Sequence, residues 1–168
     1  THICKFEDFS FDKSYDVIIF SESFQYVNMA VSLEKIWKIL NYPGHLLICD
    51  FFRLDVPEKS LMGGGHFWKE FNEIMEKMSF ETIYNEDITD GTAPTVDFLD
   101  RFCQEVLKPV GAMTGDYMLS NYPQITRILL WKFKERLEKI NRRYLSGDVN
   151  GESFKKCKTY RLLLFKSS

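Results

Sequence analysis

Two short apolar runs, separated by a helical pattern and a turn, place the tightest constraint on how this chain folds. VIIF (17–20) and HLLICDFF (45–52) have the length and composition of strands that are buried on both faces. Between them, LEKIWKIL carries apolar residues three and four positions apart, which predicts an amphipathic helix with Ser32 as its N-cap. The segment NYPGH is expected to end that helix. This βαβ order implies two parallel strands and a right-handed crossover.

The rest of the chain first continues the alternation and then becomes helical. A helix is predicted around residues 67–78 and a strand over 80–88. An apolar stripe over 96–107 predicts a further helix that Pro109 ends, followed by a loop.

A long helix is then expected to start at Pro123, with its apolar residues facing inward, and to close at Gly147 and the Asn-Gly pair at 150–151. The run TYRLLLF (159–165) predicts a C-terminal strand. Residues 1–168 are therefore interpreted as one α/β domain, with a helical insertion over 92–150.

Composition excludes several classes of function. A net charge of −2 gives no reason to expect binding to nucleic acid. No apolar run approaches the roughly 18 residues of a membrane span. The four cysteines are scattered without a CxxC pair, and there are only three histidines, which argues against a metal site and for a reducing, cytoplasmic location.

The motifs of the first half of the chain occur in a recognisable order. FEDF (6–9) is an acidic and apolar turn, Tyr15-Asp16 precedes the first strand, SESFQY (21–26) is a short polar motif, and Pro43-Gly44-His45 precedes the second strand. In order and spacing, residues 3–88 and the last strand resemble the second half of class I S-adenosylmethionine-dependent methyltransferases of the small-molecule branch. The resemblance implies a Rossmann-like sheet that is mostly parallel, with an antiparallel C-terminal strand and a helical cap insertion.

The family's cofactor signature is missing from this sequence. That signature is a Gly-rich turn after the first strand and an acidic residue after the second, and the resemblance places both before Thr1. The Gly run at 63–65 follows an irregular stretch, which is typical of a flexible loop before a helix and not of a cofactor turn. The chain is therefore expected to be a methyltransferase that is incomplete at its N-terminus and binds S-adenosylmethionine poorly by itself.

The resemblance also implies which residues contact the cofactor. It places Phe6 and Glu7 near the adenine, and Ser21 and Glu22 beside the methionine part, where a carboxylate attracts the sulfonium or the amino group. A structural alternative stays open for each pair: a surface turn anchored by Phe6, and a turn capped by Ser21 and Glu22.

On the acceptor side the resemblance points to Gln25 and Tyr26, although Tyr26 could equally pack under the cap. Asp50 ends the second strand at the same rim, or is a plain strand-ending aspartate. His66 is the candidate general base, because histidine is suited to proton transfer near neutral pH; a structural or exposed helix-start histidine is the alternative. Methyl transfer depends mainly on orientation, which fits a sequence without a catalytic triad or metal cluster.

The predicted function is methyl transfer from S-adenosylmethionine to a small, partly hydrophobic acceptor, performed by the C-terminal part of an enzyme. The alternative is a non-catalytic module that binds a partner through its strand edge or its helical cap. An exposed strand edge favours association, so a homo-oligomer or pairing with the missing N-terminal half is expected. Sequence upstream of Thr1 that encodes a strand and a Gly-rich turn would favour the enzyme.

Overall fold

The computed structural model describes residues 3–11, 13–57 and 62–167. They form one four-stranded sheet, seven α-helices, a 3-10 turn and two π-helical turns. The strands are β1 (Tyr15–Ser21), β2 (Leu40–Arg53), β3 (Phe80–Asp87) and β4 (Lys158–Ser167). The helices are α1 (Met29–Ile39), α2 (Trp68–Met75), α3 (Thr89–Phe102), α4 (Lys108–Asn121), α5 (Pro123–Lys132), α6 (Lys134–Ile140) and α7 (Gly151–Cys157), with the 3-10 turn at Phe24–Tyr26 and the π-helical turns at Cys103–Leu107 and Asn141–Leu145.

The sheet has the strand order β1-β2-β4-β3. β1 and β2 are parallel and in register, with Ile18 opposite Leu46 and Phe20 opposite Ile48. β4 lies between β2 and β3 and is antiparallel to both. Three strands therefore point the same way and the C-terminal strand points against them, which confirms the predicted α/β sheet.

The start of α1 differs from the prediction. Its N-cap is Asn28, whose side-chain oxygen accepts a hydrogen bond from the N–H of Val31 at 3.3 Å. Ser32 lies inside the helix, is fully buried, and its hydroxyl has no hydrogen-bond partner within the described residues. Asparagine and serine are comparable N-caps, and starting the helix earlier buries Met29, which decides between them.

β2 also begins earlier than predicted. It starts at Leu40, directly after α1, so Pro43 and Gly44 lie within the strand and not in a turn. Gly44 is buried, and its N–H donates to the hydroxyl of Ser167 at 2.8 Å. A Cβ atom at Gly44 would lie 2.5 Å from the backbone oxygen of Asn41, so this position requires glycine.

The core against one face of the sheet is built largely from phenylalanine. Phe71 of α2 is fully buried and packs against Phe24, Phe52 and Phe165, with ring centroids 4.9–6.0 Å apart. Such contacts contribute apolar burial and directional ring–ring attraction. The core that holds β1 and β2 thus extends directly to the turn after β1.

Asp87 joins β3 to β4 at one end of the sheet. Its carboxylate pairs with Arg161 at 3.0 Å and accepts hydrogen bonds from the N–H of Thr89 at 3.0 Å and the hydroxyl of Thr159 at 3.1 Å. Burial acts to raise the pKa of Asp87, but the hydrogen bonds from Thr89 and Thr159 and the charge of Arg161 outweigh it and hold the pKa below its usual range.

We expect Asp87→Asn to lower the free energy of unfolding at neutral pH. Because the folded pKa is depressed, ionised Asp87 stabilises the fold fully above its unfolded pKa of about 3.9, and this stabilisation is lost as pH falls through the folded pKa. Urea unfolding between pH 7 and pH 3 should show the difference from the wild type shrinking at the acid end. Glu81→Gln, an exposed change on the same strand, is the control and should differ little throughout.

The chain divides into two compact units. The sheet, α1 and α2 belong to the first, and residues 92–154 belong to the second, which is helical. No helix in the described part of the chain is long and apolar enough to cross a membrane.

Several predictions for the helical unit are wrong. Pro109 does not end a helix: it lies in the first turn of α4, where its missing N–H is tolerated. The predicted loop after it is α4 itself. The long helix does begin at Pro123, but it breaks at Phe133 into α5 and α6, and apolar residues expected to face inward, such as Ile125 and Ile128, are exposed.

α7 was not predicted, because the Asn-Gly pair at its start was interpreted as a terminator. The side-chain oxygen of Asn150 accepts from the N–H of Ser153 at 2.9 Å, and the hydroxyl of Ser153 accepts from the N–H of Asn150 at 3.0 Å. This reciprocal pair is a capping box that starts the helix.

Candidate functional site

The polar motif that follows β1 is organised by one apolar residue. Phe24 is fully buried and contacts the rings of Phe20 and Phe71 at centroid distances of 5.4 and 5.8 Å. It anchors the 3-10 turn, so that Gln25 is half-buried at the rim of the sheet and Tyr26 is 79% exposed. Within the polar motif SESFQY (21–26), only Phe24 is buried, and the other five residues are exposed or half-buried.

Asp50 ties the end of β2 to this turn. Its carboxylate accepts hydrogen bonds from the N–H of Gln25 at 3.0 Å, the side-chain amide of Gln25 at 3.3 Å and the N–H of Phe51 at 2.8 Å. Asp50 is 1% exposed, and burial raises the pKa of its carboxyl group, against the effect of the backbone hydrogen bonds. The side chain predicted to lie at the rim therefore holds the two strand ends together.

Glu22 is presented at the same edge in an unusual conformation. It has a φ of 49°, in the left-handed region, and its N–H donates to the carbonyl of Cys49 at 2.8 Å. The hydroxyl of Tyr160 donates to the Glu22 carboxylate at 2.8 Å. Burial, followed by this hydrogen bond, raises the pKa of Tyr160. Ser21, the last residue of β1, is exposed and pairs with Cys49.

Phe6 and Glu7 lie on a segment that is held against α1. The Phe6 ring meets Phe20 edge-on at 5.3 Å. One oxygen of the Glu7 carboxylate accepts from the N–H of Asn28, which lowers the pKa of Glu7. The ammonium group of Lys35 donates to the carbonyls of Phe6 and Glu7 at 3.0 and 2.8 Å. A cavity of about 260 Å³ is lined by Phe6 and its neighbours Cys4, Lys5, Phe9 and Phe11.

The glycine run before α2 packs on the strand ends. Gly64 and Gly65 have φ values of 80° and 79°, and a Cβ atom at Gly65 would lie 3.0 Å from the backbone oxygen of Phe51. The ammonium group of Lys158 donates to the carbonyl of Gly64 at 2.6 Å and lies 4.7 Å from the centre of the Phe51 ring. These contacts fix the loop that carries His66.

His66 is connected to the motif after β1. Its Nε2 lies 2.9 Å from the carbonyl oxygen of Phe24, and its ring meets the Phe24 ring at 5.3 Å. Since a carbonyl oxygen only accepts, Nε2 carries a hydrogen, and Nδ1 is the nitrogen left to accept a proton.

The structure brings Ser21, Glu22, Gln25 and His66 to one edge of the sheet, where β1 and β2 end, as expected for parallel strands. Tyr26 stands exposed beside them, and Phe6 and Glu7 contact β1 and the start of α1. Sequence reasoning missed three contributors: Cys49, Lys158 and Tyr160. The last two lie at the start of β4, and an antiparallel neighbour of β2 must begin where β2 ends, which is the signal that could have found them.

Within residues 3–11, 13–57 and 62–167, no group of three or more histidine, cysteine or acidic side chains is arranged to hold a metal ion.

No family model and no curated relative matches this sequence. Solved structures do match. Geranyl diphosphate C-methyltransferase from Streptomyces coelicolor, solved with geranyl diphosphate and S-adenosyl-L-homocysteine, superposes with a TM-score of 0.61 at 14% identity, over 99% of this chain and 53% of that one. The O-methyltransferase of a Brevibacillus brevis multienzyme, also with S-adenosyl-L-homocysteine, gives 0.55 at 14% identity, over 98% and 48%.

The chain has the fold of the class I methyltransferases. It spans about half the length of the structures it matches. The 4+2 cyclase SpnF also matches, with a TM-score of 0.55 at 13% identity, over 98% of this chain and 54% of that one. The methyltransferase fold therefore does not by itself decide the reaction, and the reaction has to be argued from the site.

Proposed function

We propose that this chain is the C-terminal part of an enzyme that transfers a methyl group from S-adenosylmethionine to a small, partly hydrophobic acceptor. The observation that carries the proposal is the edge where β1 and β2 end side by side and present Glu22 and Gln25. Ligands of open α/β sheets bind at this edge, and structures of the same fold contain S-adenosyl-L-homocysteine.

On the donor side, Glu22 attracts the sulfonium or the amino group, and Ser21 supplies a hydroxyl beside it. Tyr160 holds the Glu22 carboxylate by its 2.8 Å hydrogen bond. Phe6 offers a ring for packing against the adenine. The Glu7 carboxylate, which also accepts from the N–H of Asn28, is the proposed acceptor for the adenine amino group.

On the acceptor side, the chain mainly orients the reactants. S-adenosylmethionine supplies an activated methyl group with a neutral leaving group, so orientation can contribute about 7–11 kcal/mol of the barrier reduction. The side-chain amide nitrogen of Gln25 donates a hydrogen bond to Asp50. Its amide oxygen is left to accept a hydrogen bond from the substrate that receives the methyl group. Tyr26 offers a hydroxyl, and His66 takes up a proton at Nδ1 where the acceptor must lose one.

Glu22→Gln is expected to weaken the binding of S-adenosyl-L-methionine by the whole natural protein about tenfold, because it removes a charge next to the sulfonium or amino group while keeping the shape. Tyr160→Phe, which frees the Glu22 carboxylate to rotate, should weaken it about threefold. Isothermal titration calorimetry measures both, with Glu81→Gln as the control. If Glu22→Gln binds S-adenosyl-L-methionine with wild-type affinity, Glu22 does not contact the methyl donor.

A second candidate is a non-catalytic module that binds a partner along β1. β1 is an edge strand of the sheet, and its apolar residues Val17 and Ile19 are 51% and 62% exposed. The unpaired lateral side of such an outer strand favours pairing with another strand, either from the N-terminal half of the same protein or from a second copy. A whole natural protein that binds neither S-adenosylmethionine nor S-adenosyl-L-homocysteine would favour this module.

The four scattered cysteines, which include no CxxC pair, support a reducing, cytoplasmic location for either function. Acid and base residues are balanced overall, which supports a small-molecule acceptor over nucleic acid.

A further inference from the structure

The helical unit contains a cavity that is lined by its own residues alone. It has a volume of about 470 Å³ and lies between α4, α5 and α6. Small-molecule sites have volumes of about 300–1,000 Å³ and mostly apolar walls. The walls here include Met118 of α4, Leu129 of α5 and Leu137 of α6.

The cavity is open because two glycines line it. Gly111 and Gly115 lie four residues apart on α4, and a Cβ atom at either position would meet no atom within 4 Å. Residues four apart share one face of a helix, so the missing side chains leave a continuous channel along α4. The channel is open to solvent, since most of its lining residues are exposed. Glycine destabilises a helix interior relative to alanine. Two glycines on one face of α4 therefore lower the stability of the helix, which an ordinary solvent-exposed face would not require.

The threonines that line the cavity add no free polar group to its wall. The hydroxyl of Thr114 donates to the carbonyl of Val110 at 2.7 Å. The hydroxyl of Thr126 lies 2.9 and 2.8 Å from the carbonyls of Met118 and Tyr122. Both hydroxyls are satisfied by backbone carbonyls, so the wall favours an apolar occupant.

One charge completes the site. Of the described residues that line the cavity, Arg136 alone is ionised, and no ion pair of Arg136 is found in the described part of the chain. A guanidinium group binds carboxylates through paired hydrogen bonds. An apolar channel with one arginine complements a molecule that has an apolar chain and one anionic end.

We propose that this cavity binds an amphipathic carboxylate of the fatty-acid class, with its alkyl chain along Gly111 and Gly115 and its carboxylate on Arg136. None of the residues that line this cavity belongs to the edge of β1 and β2, and the test below does not require methyl transfer.

Calorimetry with octanoate and decanoate, below their micelle concentrations, tests the alkyl channel. Affinity should rise about fourfold for each added methylene group that the cavity buries. Gly115→Leu fills the channel and should weaken decanoate binding more than tenfold while it stabilises α4, because leucine is a better helix former than glycine. Gly91→Leu, at a helical glycine with equally open space outside the cavity, should leave binding unchanged.

Arg136→Met tests the anionic end. It should weaken decanoate binding about three- to tenfold and leave decanol binding unchanged, because decanol has the same chain without the charge. Thermal unfolding of each variant reports folding separately. Undiminished decanoate binding by folded Gly115→Leu, equal binding of decanol and decanoate by the wild type, or no binding of either would overturn the proposal.

Discussion

Replacing Phe24 with alanine is expected to lower the free energy of unfolding by about 3–5 kcal/mol, the usual range for a buried phenylalanine. Phe24 is fully buried although it lies in the polar motif after β1, and its ring contacts Phe20, Phe52 and Phe71. Its removal leaves a cavity under the turn that positions Gln25. Urea unfolding followed by circular dichroism measures the loss, and ligand binding at this edge should fall with it.

Phe98→Ala is the matched control for this loss. Phe98 is also a phenylalanine next to polar residues, but it is 62% exposed, so its removal should change the free energy of unfolding by about 0.5 kcal/mol or less. Equal losses in the two variants would show that Phe24 does not anchor the turn.

Asp50→Ala is expected to lower the free energy of unfolding by about 2–5 kcal/mol, the second large effect. The Asp50 carboxylate accepts from the N–H groups of Gln25 and Phe51, at 3.0 and 2.8 Å, and its removal breaks both hydrogen bonds near the core. Each unsatisfied buried donor costs about 1–3 kcal/mol. The variant should also release Gln25 from the strand ends, which hydrogen exchange at the Gln25 amide would detect as faster exchange.

Asp16→Ala is the control for Asp50→Ala. Asp16 lies at the opposite end of β1, is exposed, and its carboxylate accepts from the side chain of Asn41 at 2.7 Å. Breaking this exposed hydrogen bond should cost about 1 kcal/mol or less and leave exchange at Gln25 unchanged. If the two aspartate variants lose equal stability, Asp50 is an ordinary strand-ending residue.

The sheet could be predicted from the sequence because its signals are local. Four consecutive apolar residues at 17–20 and the run at 45–52 each predict a strand, and a single amphipathic helix between them leaves only a parallel pairing. The predicted burial of the first strand on both faces is wrong, because β1 is the outermost strand and its Val17 and Ile19 are 51% and 62% exposed. The edge at Ser21 and Glu22 follows from that pairing. The same reasoning located Gln25, because it lies only a few residues beyond the strand.

The errors occur where the decision depends on tertiary packing. Asn28 and Ser32 are equivalent caps by sequence, and only the burial of Met29 selects the first. Pro109 ends a helix or occupies its first turn depending on the π-helical turn before it, which sequence patterns do not reveal. The bond from Tyr160 to Glu22 joins residues 138 positions apart, so no local pattern could indicate it.

The edge shared by β1 and β2 is the proposed binding site of the methyl donor. Hydrogen–deuterium exchange of the whole natural protein, with and without saturating S-adenosyl-L-homocysteine, tests this assignment. We expect slower exchange over residues 20–26 and 49–51, with little change at the exposed strand β3. Binding that protects other segments and leaves residues 20–26 unchanged would contradict this assignment.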